Sequence, residues 1–182
     1  MLCPIKDDIP MSFLSRLFQR SPDPKEQLRP LWHQLVKVAR SPDLYRECGV
    51  ADTLEGRFDM LSNILAIAML RMERDAETVS ASARLTELFV ADMDGQLRES
   101  GVGDPTVGKQ LGKLVSALGG RIGALRDGLA QDSDNALVDA VTRNVTFTEG
   151  GSPACVATKL RRFAQALDQL NYDQLLHTEL LL

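Results

Sequence analysis

The stretch DPTVGKQLGKLVSALGGRIGALRDGL, running from Asp104 to Leu129, decides the fold class. Its apolar residues Val107, Leu111, Leu114, Val115, Leu118, Ile122, Leu125 and Leu129 recur at steps of three and four, the spacing that gathers side chains onto one face of an α-helix. Asp104-Pro105 suits the start, because proline in a first helical turn gives up an N–H that would have no intrahelical partner.

The same periodicity extends in both directions. Upstream, Leu28, Leu31, Trp32, Leu35, Val36 and Ala39 predict a helix over 25–40 that Pro42 stops, followed by one turn from Asp43 to Glu47 ending near Gly49. Asp52 or Thr53 is placed to cap a long helix with the stripe Leu54, Phe58, Leu61, Leu65, Ala68 and Met72, and Glu55 sits early in it where the helix dipole favours an acid. Ser80 or Ser82 is placed to cap the next, whose face carries Leu85, Leu88, Phe89, Asp92 and Gln96 before Ser100-Gly101 ends it. The short connection makes these two helices antiparallel neighbours. Downstream, Asp132 or Ser133 opens a helix to Val145. Gly150-Gly151-Ser152-Pro153 turns the chain into another over 154–171, and an apolar end follows over 172–182. The expectation is an all-α fold, a single irregular multi-helix bundle of about six to eight helices over 25–182, preceded by a separate segment over 1–24.

Composition narrows the function. At 182 residues and 44% hydrophobic, one domain can bury a core without disulfides or metal. A net charge of -4 gives no overall attraction for nucleic acid. Cys3, Cys48 and Cys155 are odd in number and fit no CxxC or Cys/His spacing, so inert thiols in a reducing compartment are expected. The most apolar run, Met60 to Met72, carries Ser62, Asn63 and Arg71, which argues against a membrane span. Pro4, Lys6, Asp7, Asp8 and Pro10 interrupt any secretory core, and Met11 is a second candidate start. Ser12 to Phe18 reads as a short basic amphipathic helix, with Phe13, Leu14, Leu17 and Phe18 beside Arg16 and Arg20. It would rest on an anionic membrane, dock on the chain's own domain, or have no partner at all.

Constellations for catalysis are not evident. His33 and His177 belong to no metal-ligand spacing, and no nucleophile elbow, P-loop or dinucleotide fingerprint occurs. Asp92 and Asp94 form an Asp-x-Asp pair, but residues two apart on a helix diverge by about 200° and cannot share one ion. Neither a metal nor a cofactor is expected. Asp92 continues the apolar line of Leu88 and Phe89, and Arg57 lies toward Leu54, Leu61 and Ile64, so an Arg57–Asp92 salt bridge between antiparallel helices is expected as a structural ion pair. Gly108, Gly112, Gly119 and Gly123 share a narrow arc, and close approach of a neighbouring helix would offset their cost of about 1 kcal/mol each. Lys109 and Lys113, with Arg98 and Arg121, form either a modest basic patch or an ordinary solvated face.

Two stretches carry a family resemblance: Asp52-Thr53-Leu54-Glu55-Gly56-Arg57-Phe58-Asp59-Met60-Leu61, and the run from Phe89 through Asp92, Asp94, Arg98, Gly101 and Gly103 to Asp104. With Val107, Lys109 and Lys113 they resemble the ubiquinol–cytochrome c chaperone family, over roughly Lys25 to Leu170. The resemblance implies an all-helical, non-catalytic assembly chaperone for respiratory complex III. Its client would be newly made cytochrome b, or another component of the bc1 complex, met near the ribosome and the inner membrane. A bacterial member would work in the cytoplasm, peripheral to the inner membrane. The motif positions carried over are Arg57, Phe58, Asp59, Asp92, Asp94, Arg98, Gly101, Gly103, Asp104, Lys109 and Lys113. Two other readings stay open: a generic helical adaptor, and a small-molecule enzyme using Asp92, Asp94 and Glu99, which requires one pocket holding at least two of those carboxylates.

Overall fold

A computed structural model of the chain describes residues 25–76 and 78–182. The short helix expected over Ser12–Phe18 lies outside these described residues, as does Cys3. A 3-10 turn, Glu26–Leu28, leads into α1 (Arg29–Ala39) and α2 (Pro42–Arg46). The long helices α3 (Leu54–Met72), α4 (Val79–Glu99) and α5 (Asp104–Leu129) follow, then α6 (Asn135–Asn144), α7 (Pro153–Asp168) and α8 (Tyr172–His177). The described fold is the expected all-α bundle, and its sheet-like pairing is one isolated bridge, Val50 with Phe147.

α3 is the axis. From Met60 to Leu70 every residue is buried, and α1, α4, α5 and α7 pack around it. That explains its sequence: a helix enclosed on all sides needs apolar or hydrogen-bonded residues everywhere, not a stripe. Ser62 Oγ donates to Phe58 O at 2.8 Å and Asn63 Nδ2 donates to Asp59 O at 2.8 Å, so both polar side chains are satisfied by their own helix. The Thr53 hydroxyl caps α3 by accepting from Gly56 N at 3.2 Å. Leu54, assigned to the stripe from sequence, stands 68% exposed in the first turn of α3.

α4 begins earlier than either expected serine, at Val79; Ser82 is buried inside it, and the Thr78 hydroxyl bonds Met72 O and Asp75 O, pinning the α3–α4 turn. Ser152 caps α7 and Asn171 caps α8 with a reciprocal Gln174 capping box.

Two expectations are corrected by the packing. Cys48 and Cys155 are joined as a disulfide that closes a sequence separation of 107 residues. Spacing could not show this, because the pairing follows from a clasp between residues 48–51 and 146–152: Ala51 N donates to Thr146 O, Thr148 N to Gly49 O and Ser152 N to Cys48 O, at 2.8–2.9 Å. Gly49 takes φ +73°, and a Cβ there would lie 2.6 Å from Gly151 Cα, so the two strands of the clasp touch backbone to backbone. The sequence argument for a reducing compartment thereby loses its basis. The glycine arc is the second correction: Gly108, Gly112, Gly119 and Gly123 have open space where a Cβ would stand. The close approach occurs instead at Gly128, where a Cβ would meet Leu137 Cα of α6 at 2.9 Å.

No helix among the described residues is long and apolar enough to cross a membrane.

Candidate functional site

α1, α3, α4 and α5 do not close completely on one another. Between them lies a cleft of about 720 Å³, within the range of ligand and peptide pockets. Phe58, Leu61, Met93, Leu97 and Leu114 give it an apolar lining, and Leu54 projects at its edge. Arg40, Glu55, Arg57 and Glu99 add charges of both signs to its lining. An apolar lining with a charged margin is the pattern of a protein-recognition surface.

Beneath it sits a buried ion pair. Asp59, on α3, accepts a hydrogen bond at Oδ1 from Arg121 Nη2 of α5, and at Oδ2 from Thr146 N at 3.0 Å and Thr146 Oγ1 at 2.8 Å. Arg121 Nη2 also donates to Asn144 O at 3.2 Å, and its guanidinium lies 5.2 Å from the Phe58 ring centroid, in cation–π range. Burial pulls the Arg121 pKa below the usual guanidinium value, and the Asp59 charge and hydrogen bond oppose that pull. Phe58 itself packs against Phe89 with centroids 6.1 Å apart, and Phe89 against Trp32 at 6.4 Å. A chain of contacts from α5 through α3 and α4 to α1 therefore fixes the cleft floor.

The expected Arg57–Asp92 bridge does not form. Arg57 Nε donates to Asp52 at 2.6 Å on the exposed side of the first turn of α3, and that bond holds the Asp52 carboxyl below its ordinary range. Asp92 is half-buried and accepts from Gln96 Nε2 at 3.1 Å within α4. The internal pair that ties helices together is Asp59–Arg121, one of whose members the sequence reading placed in a basic patch. Its signal was present: on a helix, residue 121 falls between the positions of Leu114, Leu118 and Leu125, so a guanidinium interrupts the apolar seam of α5. The fixed donor Thr146 had no such signal, since it comes from the clasp.

Five further motif positions, Asp94, Arg98, Gly101, Gly103 and Asp104, form a second group at the α4–α5 corner. Arg98 donates to Asp94 at 2.7 Å and to Asp104, bridging the last turn of α4 to the first of α5 across Gly101 and Gly103. Thr106 N bonds Gly103 O at 2.9 Å, closing the first turn of α5. Exposed pairs of this kind set geometry more than stability. Lys109 and Lys113 lie exposed on the outer side of α5, separate from both groups; Arg98 is neutralised by its two acids and Arg121 is buried, so the four do not make one basic patch. Asp94 and Glu99 line different depressions and Asp92 lines neither, so neither of these two depressions holds two of the three carboxylates. Among the described residues no group of three or more His, Cys, Asp or Glu is placed to hold a metal ion.

Comparison with known proteins fits this arrangement. A crystal structure of the Cbp3 homolog from Brucella abortus superposes with a TM-score of 0.76 at 28% sequence identity, covering 92% of this chain and 95% of that one. No curated protein sequence matches significantly. The family model described as ubiquinol-cytochrome C chaperone matches residues 46–182, which include α3, the α4–α5 corner and the ion pair. The chain belongs to the ubiquinol–cytochrome C chaperone family.

Proposed function

We propose that the chain is a non-catalytic assembly chaperone that holds an apolar helical segment of cytochrome b, or of another bc1-complex component, while respiratory complex III is built. The observation that carries this reading is the cleft: Arg57, Phe58 and Asp59, three neighbouring motif positions, all line one depression together with the apolar side chains of Leu61, Met93, Leu97 and Leu114. A helix laid in such a groove gains by burying apolar surface, at roughly 25 cal/mol per Å² before ordering costs. The mixed charges of Arg40, Glu55 and Glu99 then set which segments fit. The Arg98 corner joins the last turn of α4 to the first of α5, the two helices that form one side of the cleft. The client would be met at the cytoplasmic face of a bacterial inner membrane, with the ribosome nearby.

The test is a deletion strain scored by haem difference spectra of the bc1 complex and complemented with the full chain or with Leu97→Asp. Restoration by the first and failure by the second, with both proteins folded and equally abundant, supports the reading. Normal spectra in the deletion strain would instead favour an adaptor with a different partner.

A further inference from the structure

α4 and α5 enclose a second, smaller depression with different faces. It measures about 390 Å³ and is lined by Val90, Ala91 and Leu111, with Thr86, Glu87 and Asp94 around them. On α4 the order Glu87, Val90, Ala91, Asp94 places an acid at each end of an apolar step along one face. Val115, one turn beyond Leu111, is 38% exposed and prolongs the apolar surface along α5.

The described chain starts beside this groove. Lys25 Nζ lies 2.6 Å from Glu87 Oε2, so the path leading back to residue 24 begins at the groove's rim. The preceding segment contains Phe13, Leu14, Leu17 and Phe18 together with Arg16 and Arg20. Only the residues 19–24 separate Phe18 from Lys25, a stretch that spans up to roughly 23 Å when extended. In character the two match: the segment is apolar with two arginines, and the groove is apolar with two acids, Glu87 and Asp94, at its sides. The bonds these acids already make, to Lys25 and Arg98, are exposed ones, and a carboxylate accepts more than one donor.

We propose that the segment around Ser12–Phe18 docks in the α4–α5 groove of its own chain, its leucines and phenylalanines over Val90, Ala91 and Leu111. Because α4 and α5 also wall the larger cleft, the docked segment braces that cleft from outside. The proposal stands on the groove and the chain path, and does not depend on which client the cleft receives.

The experiment uses the full chain with a benzoylphenylalanine photo-crosslinker in place of exposed Ala91, prepared as an equal mixture of 14N- and 15N-labelled protein and mapped by mass spectrometry. The expected result is adducts to residues 12–18 carrying a single isotope label, whose yield drops about tenfold or more in Leu14→Glu/Leu17→Glu. That double variant changes no residue of the described core, so its circular dichroism should match the parent. Mixed-label adducts, which would mean a second copy fills the groove, overturn the proposal. So do the absence of adducts on residues 12–18 and adducts that persist unchanged in the double variant.

Discussion

Asp59→Ala is the substitution that most sharply tests how the cleft floor is held. It removes the acceptor of three hydrogen bonds, one from Arg121 and two from Thr146, and leaves a guanidinium buried with Asn144 O as its remaining carbonyl partner. Side-chain exposures of 9% for Arg121 and 11% for Asp59 mean that water cannot replace what is lost. Breaking a buried pair by deleting one partner costs about 3–5 kcal/mol. For a domain of this length each kcal/mol lowers Tm by about 2–4 °C, so a drop of roughly 6–20 °C is expected. Replacing both partners, as Asp59→Leu with Arg121→Met, removes both buried charges and leaves the Thr146 donors and the Asn144 carbonyl without these partners. The double variant is therefore expected to be more stable than Asp59→Ala by at least about 1 kcal/mol. Urea denaturation followed by circular dichroism measures all three, with unchanged m-values as the check that midpoints report stability. A cost below about 1 kcal/mol for Asp59→Ala, or a double variant as unstable as the two single changes added together, would refute the reasoning.

Further expectations concern the packing. Gly128→Ala would drive a Cβ to within 2.9 Å of Leu137 Cα and is expected to cost about 1–3 kcal/mol, whereas Gly119→Ala, facing open space, should stabilise by up to about 1 kcal/mol; thermal melts of the two separate the close-contact glycine from the open arc. Cys48→Ala/Cys155→Ala should lower stability by about 2–5 kcal/mol, since the disulfide closes a separation of 107 residues, and denaturation of the parent with and without reductant should reproduce the difference. Burial raises the Tyr45 pKa, with the Asp52 charge adding to the effect, and its hydroxyl donates to Ala39 O at 2.8 Å. A raised folded-state pKa means the stabilisation is complete below the ordinary tyrosine value and disappears as pH climbs through the folded-state one. Tyr45→Phe should lose about 1 kcal/mol at neutral pH and should flatten the alkaline fall in stability, read as urea midpoints between pH 8 and 11.

Helices were legible where one face carried the information. α1, α5 and α7 show apolar steps of three and four and were located within a few residues. α3 was located too, but its stripe was misread at Leu54, because a helix buried on every side has no polar face to define the buried one. That ambiguity also misplaced the ion pair: with no clear outer face, Arg57 reads as internal, whereas the structure exposes it and buries Asp59. The partners of Asp59 come from α5, whose seam Arg121 interrupts, and from Thr146 in a clasp that brings residues 48–51 against 146–152. Contacts at such separation leave no periodic mark, which is also why the disulfide went unforeseen. The glycine arc misled in a different way, since helical glycines are costly wherever they stand and the cost does not reveal whether a neighbour is present. Of the motif positions, Arg57, Phe58 and Asp59 meet at the cleft and Asp94, Arg98, Gly101, Gly103 and Asp104 at the α4–α5 corner; Asp92, Lys109 and Lys113 join neither.

In-cell photo-crosslinking from position 54 tests the central claim most directly, since Leu54 stands 68% exposed at the cleft edge and replacing it disturbs no core contact. The account predicts an adduct with cytochrome b or another bc1-complex subunit that disappears when Leu97→Asp is added. Adducts confined to unrelated proteins, or a bc1-subunit adduct indifferent to Leu97→Asp, would contradict it.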